Sequence, residues 1–517
     1  MNTFDFSEGF YRINDIFLTI AFMILARVEN INQVGEVSPG EWGKLLGIDR
    51  IPHPKTLREK ADILSHGTNE NNLDGWITER SAAWMEETDN IIGRFYLDGH
   101  VRTYFGKTTK LPRRYVSRQH LCLRGMTDYW VNDQYGTPFF CITTPFAKGL
   151  IEILQKEIIP KLLKEVPNQP SMEELQQNPG TYIFLIIFDR EGYSMKLFKY
   201  LWNEYRIACQ TYNKYPKENW NEDDFIDVKV IHPFGNIEKT KIADKKIYNK
   251  ANDFYYREVR QLTESGHQVS VVTMDFINKS EHIYSFMTAR TSQENFFKYA
   301  RHDYNIDTLS SYEKIEVDET EIVINPKYRQ LEKDLNSLRS RLARRTLKRR
   351  QLTLKENPAE SELRKYEEKE GLLTKEILEF ESVIKEKKEK RKQTDKYITV
   401  KELPEEFKFV KFHGGRKKFI DIIKMIAYRA EIAMANIILP NLSRHDKDTA
   451  KAVIKSIFKT PANIIPDYNL KLLTVEIHYS PSFKKDKIIQ SLIDFLNDAK
   501  FNFPGTNLRL FYTFVSK

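Results

Sequence analysis

The chain has 517 residues, 41% of them hydrophobic, which is too long for one ordinary core and apolar enough to bury several. Lys and Arg number 81 against 72 Asp and Glu, a formal net charge of +9 that favours a polyanionic partner. The cysteines, Cys122, Cys141 and Cys209, are odd in number and widely spaced, which excludes a metal knuckle and a secreted disulfide framework and leaves buried free thiols in apolar segments as the expectation.

Met1 to Phe10 carries acids where a signal peptide would carry bases. The longest early apolar run, Ile16 to Ala26, has the length of a core helix and not of a membrane span, so a cytoplasmic protein is expected. Residues 1 to about 90 read as a helical domain. Ser38 to Gly47 has the form of a short capped helix, and after Pro52 and Pro54 a second helix runs from Lys55 to Ala61. Two short helices around a turn suggest a helix-turn-helix, with Arg58 and Lys60 placed to meet phosphates or base edges. A plain helical hairpin packed beside the core is the alternative, and the residues favour neither.

Residues 91 to about 316 read as α/β. Strands are expected at 91–97, 100–105, 138–144 and 182–188, with a long amphipathic helix from Ala147 to Leu163 before the last of them. A helix at Ser194–Glu204 and a strand at Ile207–Thr211 follow. The stretch from about 212 to 265 alternates as strands do, at Asp227–Ile231, Lys239–Ala243 and Phe254–Val259, and reads as an inserted β subdomain. Its lysines could track a phosphate backbone or guard a solvated edge. The chain returns to the core through Gln268–Thr273.

Residues 327 to about 394 change character. Leu331, Leu335, Leu338 and Leu342, and then Tyr366, Leu373, Ile377, Phe380 and Ile384 beyond Asn357-Pro358, describe an antiparallel helical hairpin of coiled-coil type. Its first arm is one-sidedly basic, and Arg344, Arg345, Lys348, Arg349 and Arg350 are candidate nucleic-acid contacts; a solvated face is the bland alternative. Residues 397–517 read as a C-terminal α/β domain.

Three carboxylates stand out within this frame. Asp98 follows a strand-like run and is expected at a strand end before a polar turn. Asp189 ends the apolar run Tyr182–Phe188. Glu294 shares a helical face with Phe297. Taken singly, such residues are usually caps or solvated charges. Together they could hold two divalent cations about 4 Å apart, which is what cutting a phosphodiester requires: one oxygen activated, another stabilised as it leaves.

With those residues in view, the chain resembles bacterial insertion-sequence transposases of the DDE superfamily, in the group with a β-strand insertion before the catalytic glutamate. The resemblance is carried by Tyr96-Leu97-Asp98-Gly99-His100, Phe188-Asp189-Arg190-Glu191-Gly192-Tyr193 and Arg290-Thr291-Ser292-Gln293-Glu294, with further similarity at Gly40–Gly47 and Phe503–Leu510. It implies a ribonuclease H-like catalytic core in which Asp98, Asp189 and Glu294 hold two Mg²⁺ ions, with Mn²⁺ as a substitute. It also implies double-stranded DNA as partner, a homodimer pairing two element ends, and a nucleoid-associated location. Around the glutamate the family pattern is matched by Arg290 and Glu294. Arg301 stands where the family has lysine, and Met287 stands at the tyrosine position, with Tyr284 one helical turn away. Arg290 and Arg301 would contact phosphates at the cleaved end, and Trp220 would stack on a flipped base. The competing readings are a transposase-derived DNA-binding protein without catalysis, a ribonuclease H-like nuclease without strand transfer, and a structural coiled-coil protein, for which the hairpin covers too little of the chain.

Overall fold

The computed structural model describes residues 9–515 apart from 67–69, 88–92, 108, 117–118, 145–148, 234, 309–312, 355–357, 413 and 443–445. The expected Met1–Phe10 segment, the first residues of the 91–97 strand, the start of the Ala147 helix and Asn357 therefore lie wholly or partly outside the described residues.

Four helices open the chain: α1 (Ile13–Leu25), α2 (Pro39–Leu46), α3 (Pro54–His66) and α4 (Glu70–Glu87). Helix α1 buries Ile16, Phe17, Ile20, Met23 and Ile24, the stripe of an amphipathic core helix. Helix α2 stops at Gly47, whose φ of 69° is left-handed and costs glycine least. Ser38 holds its N-cap position without a side-chain capping bond. Helix α3 turns Leu57, Ala61 and Leu64 inward and leaves Arg58 exposed.

A ten-stranded mixed sheet follows. Its strands are β1 (Arg94–Thr103), β2 (Arg113–Val116), β3 (Leu121–Asn132), β4 (Pro138–Thr144), β5 (Leu185–Phe188), β6 (Ala208–Tyr212), β7 (Ile226–Ile231), β8 (Ile237–Asn249), β9 (Phe254–Leu262) and β10 (Gln268–Thr273). Between β4 and β5 lie α5 (Leu150–Ile153), a π turn (Leu154–Ile158), α6 (Ile159–Glu165) and α7 (Met172–Gln177); α8 (Met195–Tyr205) joins β5 to β6. The expected helix from Ala147 to Leu163 thus carries a π turn just before Pro160, which has no N–H to continue the regular ladder. Strands β4, β3 and β1 are antiparallel neighbours, and β1, β5 and β6 are parallel neighbours.

Two strand expectations are corrected. Segments 91–97 and 100–105 are not two strands around a turn. From Arg94 to Thr103 they form the single strand β1, whose true antiparallel partner is β3. Gly99 suggested a turn, but here it makes room: a Cβ at that position would stand 2.9 Å from the ring of Tyr129. Strand β3 escaped notice because Arg124 and Asp128 interrupt its apolar pattern. Asp128 is nevertheless buried, held by the equally buried Arg102 of β1.

The inserted strands do not form a separate layer. Strand β10 pairs with β6 on one side and β9 on the other, and β8 and β7 extend the same sheet outward. Helices α9 (Ser280–Thr288) and α10 (Thr291–Tyr304) then pack back onto the sheet.

The hairpin arms are α11 (Pro326–Arg350) and α12 (Glu360–Lys392). At their base, β11 (Lys314–Ile315) pairs with β14 (Lys411–Phe412), and β12 (Ile322–Ile324) pairs with β13 (Tyr397–Thr399). Leu335, Ile377 and Ile384 are buried along the arms. Ion pairs of Lys387 with Asp334 and Arg391 with Glu332 join the start of α11 to the end of α12, so the arms are antiparallel.

The remaining elements are α13 (Gly415–Ile438), α14 (Lys447–Ile457), β15 (Ala462–Asp467), β16 (Leu472–Ile477), α15 (Phe483–Ala499) and β17 (Arg509–Phe514). Helix α13 ties the molecule together. Phe419, Ile422, Ile423 and Tyr428 join the main core with the N-terminal helices and the sheet, while Ala435 and Ile438 join a smaller core with α14 and α15. The thiols are free, but only Cys209 is buried. Cys141 is half-buried, and Cys122 is exposed because it lies opposite Tyr115 at the open start of β3. Among the described residues no helix is long and apolar enough to cross a membrane.

Candidate active site

The sheet register brings two of the three carboxylates together. Strands β1 and β5 run parallel, with Leu97 beside Phe188. The next residues in each chain direction are Asp98 and Asp189. Asp189 ends its strand as expected and caps the following turn, its carboxylate accepting the Arg190 N–H at 2.7 Å. Asp98 lies within β1, opposite Trp130 of β3, instead of ending it. Its position is the same with respect to β5, because it is β5 that stops there.

Glu294 belongs to the first turn of α10, and the residues before it fix that turn to the sheet. The Gln293 side chain is fully buried. Its Nε2 donates to the Asn132 Oδ1 at 2.7 Å, the Trp130 carbonyl at 3.0 Å and the Tyr96 carbonyl at 3.2 Å. The Ser292 hydroxyl donates to the Gln134 carbonyl at 3.0 Å. Glu294 is thereby held over the strands that carry Asp98, and its own carboxylate remains 55% exposed.

Arg290 links these acids. Its Nη1 lies 3.4 Å from the Asp98 Oδ2, and its Nη2 lies 2.7 Å from the Glu294 Oε1. The sequence placed Arg290 on a phosphate; here its guanidinium is held by two carboxylates. Burial pushes the Asp98 carboxyl up to about 6, with Asp189 and Glu294 adding to the rise and Arg290 and the Gly99 N–H opposing it. Among the described residues no three carboxylate, imidazole or thiol groups stand close enough to share one metal ion. The donor set suits a hard divalent cation, which would relieve the same crowding of negative charge that Arg290 now offsets.

Asp98, Asp189 and Glu294 line one cleft of about 750 Å³. Arg301 lines it too, its Nε donating to the Phe297 carbonyl at 3.2 Å. His100, one residue past Gly99, is buried, stacks on Phe297 and bonds Asp307.

The other expected contacts are scattered. Arg58 lines a second cavity of about 440 Å³ together with Arg301, whereas Lys60 is half-buried on α3 and lines neither. Trp220 lies in the insertion with the Arg260 guanidinium 4.2 Å and the Lys245 ammonium 4.7 Å from its ring centre, so a base would meet a ring already attended by cations. In the hairpin, Arg345 pairs with Glu376 at 2.8 Å and Arg349 with Glu370 at 2.7 Å across the arms. Arg344, Lys348 and Arg350 are exposed, and the Arg344 Nε donates to its own helix at the Ser340 carbonyl.

Sequence reasoning missed several cleft residues: Arg113 and Arg114 of β2, Tyr129 of β3, Glu191, and Arg329 at the foot of α11. Arg114 left a faint signal. In Arg113-Arg114-Tyr115-Val116 the exposed and buried positions alternate, and a charged residue occupies an inward one. Arg329 left none, because only the tertiary fold brings the hairpin base to the sheet.

No curated protein matches the chain. A family model described as a transposase protein matches residues 1–516. With carboxylates and arginines lining one cleft and a family match along nearly its whole length, the chain belongs to this family of transposases, and the family implies DNA as its partner.

Proposed function

We propose that this transposase is a DDE enzyme with a ribonuclease H-like core, in which Asp98, Asp189 and Glu294 would hold two Mg²⁺ ions for cleavage and joining of DNA at the ends of an insertion sequence. The observation that carries the reading is the register of β1 on β5, which sets Asp98 beside Asp189 in the cleft that Glu294 faces. The strand order β4-β3-β1-β5-β6, antiparallel on one side of β1 and parallel on the other, supports the ribonuclease H-like assignment.

When bound, the ions would activate the attacking oxygen, first of water and then of the freed 3′-hydroxyl, and stabilise the departing one. The chain's own groups supply the rest. Gln293 and Ser292 fix the helix turn bearing Glu294. Arg290, which pairs with Asp98 and Glu294, would be free to bind a phosphate oxygen with its planar fork if a bound cation offset their charge. Arg301 lines the same cleft and adds positive charge.

The test is incubation of the purified chain with Mg²⁺ and a duplex carrying the native element end. Nicking followed by joined products is expected. Asp98→Asn, Asp189→Asn and Glu294→Gln should each reduce both by at least about a thousandfold while leaving DNA binding in place. Unchanged cleavage in these variants defeats the assignment. Cleavage without joining would indicate a nuclease, and binding alone a transposase-derived DNA-binding protein.

A further inference from the structure

We propose that Arg114, seconded by Arg329, is a phosphate-binding site in the catalytic cleft that grips a DNA backbone phosphodiester beside the cleavage position. Arg114 is 8% exposed and lines the same cleft as the three carboxylates. Its Nε and Nη2 are shielded from solvent and have no hydrogen-bond partner among the described residues. The molecule treats its other buried arginines of this sheet differently: Arg102 is paired with Asp128, and Arg260 with Glu258. Guanidinium nitrogens that have lost water and gained no partner are costly, so a side chain carrying two of them at the wall of a cleft is suited to a ligand that brings its own negative charge.

The neighbours sharpen this. Arg329, from the base of the hairpin, lies near enough to push Arg114 further in the direction that burial already pushes it, down to about 10. Glu191 and Tyr129 act on Arg114 in the opposite direction, and the Tyr129 hydroxyl donates to the Glu191 Oε1 at 3.4 Å. Two guanidinium groups lining one cleft, with no ion pair between Arg114 and any acid among the described residues, suit the oxygens of a phosphate. Because Arg114 comes from the sheet and Arg329 from the hairpin, a bound backbone would also tie the hairpin to the core.

The inference rests on reading the cleft as the DNA-processing site, so binding and cutting are measured apart. Binding of a fluorescein-labelled duplex to the full chain is followed by anisotropy in EDTA over a range of salt. Arg114→Gln is expected to bind about tenfold more weakly, with a log–log salt slope smaller by about one phosphate contact, and Arg329→Ala to act in the same direction. Arg114→Lys should recover part of the slope. The melting temperature of Arg114→Gln without DNA should equal or exceed that of the wild type, because an unpaired buried charge is removed. Inorganic phosphate should raise the melting temperature of the wild type more than that of Arg114→Gln. Unaltered affinity and slope in Arg114→Gln overturn the proposal. So does a phosphate effect that depends on Arg114 while duplex binding does not, which would mark a free-phosphate site. A fall in melting temperature with an unaltered salt slope would mark a structural residue and also overturn it. If the wild type fails to cut DNA but the slope still depends on Arg114, the metal mechanism falls and the phosphate site stands.

Discussion

Replacing Gln293 by Leu tests how Glu294 is held. The substitution keeps the approximate side-chain volume and removes an amide whose Nε2 reaches the Asn132 Oδ1, the Trp130 carbonyl and the Tyr96 carbonyl at 2.7–3.2 Å. An NH₂ group has two hydrogens, so at most two of these contacts are full hydrogen bonds. Each is worth roughly 1 kcal/mol net, and each buried acceptor left without a donor adds about 1 kcal/mol or more. The Gln293 Oε1 is itself buried without a partner, so its removal returns part of that cost. The balance is a loosening of about 2–3 kcal/mol at the junction of α10 with β1 and β3. Functionally the effect should be larger, because a displacement of about 1 Å in a positioned catalytic group can cost about 100-fold in rate. Gln293→Leu is therefore expected to cut DNA about a hundredfold more slowly while binding it normally in EDTA. Amides in the first turns of α10 should exchange with solvent correspondingly faster. Near-wild-type cleavage with unchanged exchange in α10 would refute the claim that this side chain positions the glutamate.

Other buried and paired charges have consequences of the same kind. Glu431 is fully buried and accepts from Arg27 at 2.9 Å and from the Tyr299 and Tyr304 hydroxyls; Glu431→Gln should destabilise the fold by about 3 kcal/mol, read as a lowered melting temperature, because Arg27 keeps only Asp303 as counter-charge. Lys424 is buried, and burial first, then Lys417, lowers its ammonium to about 7 from an ordinary value near 10.5. Between those values the unfolded chain binds the proton that the folded one has released, so this residue makes stability rise with pH by up to about 1.4 kcal/mol per unit. Lys424→Met should stabilise the protein at pH 7, and its advantage should shrink by pH 9 in denaturant titrations; a constant difference would contradict the burial argument. In the hairpin, a combined Arg344→Ala, Lys348→Ala and Arg350→Ala change should flatten the salt dependence of DNA binding. Arg345→Ala with Arg349→Ala should instead loosen the pairing with α12, visible as reduced helicity on heating, and leave the salt slope nearly intact.

Much of this molecule could be read from its residues in order. The strands of the insertion, the π-interrupted helix before β5 and the hairpin arms all announce themselves through period and punctuation, because a strand or helix must put its apolar side chains on one face whatever lies opposite. Asp189 was legible as the end of a buried strand for the same reason. Asp98 was expected at a strand end and lies within a strand. Gly99 looks like a turn residue in one dimension, and only the ring of Tyr129 across the ladder shows why glycine is needed inside a strand. Strand β3 was missed because its Arg124 and Asp128 look like solvated residues until Arg102 is seen buried against Asp128.

The sequence by itself determined most of the helices and strands, and the acidic and basic groups available. The tertiary structure alone decided which of those groups come together: Asp98 with Asp189 through strand register, Arg290 between Asp98 and Glu294, Arg345 and Arg349 with the second hairpin arm, and Arg114 and Arg329 in the lining of one cleft. The division has a physical cause. Periodicity is a property of neighbours along the chain, whereas electrostatic pairing acts through space and depends on distances that only the packed fold sets.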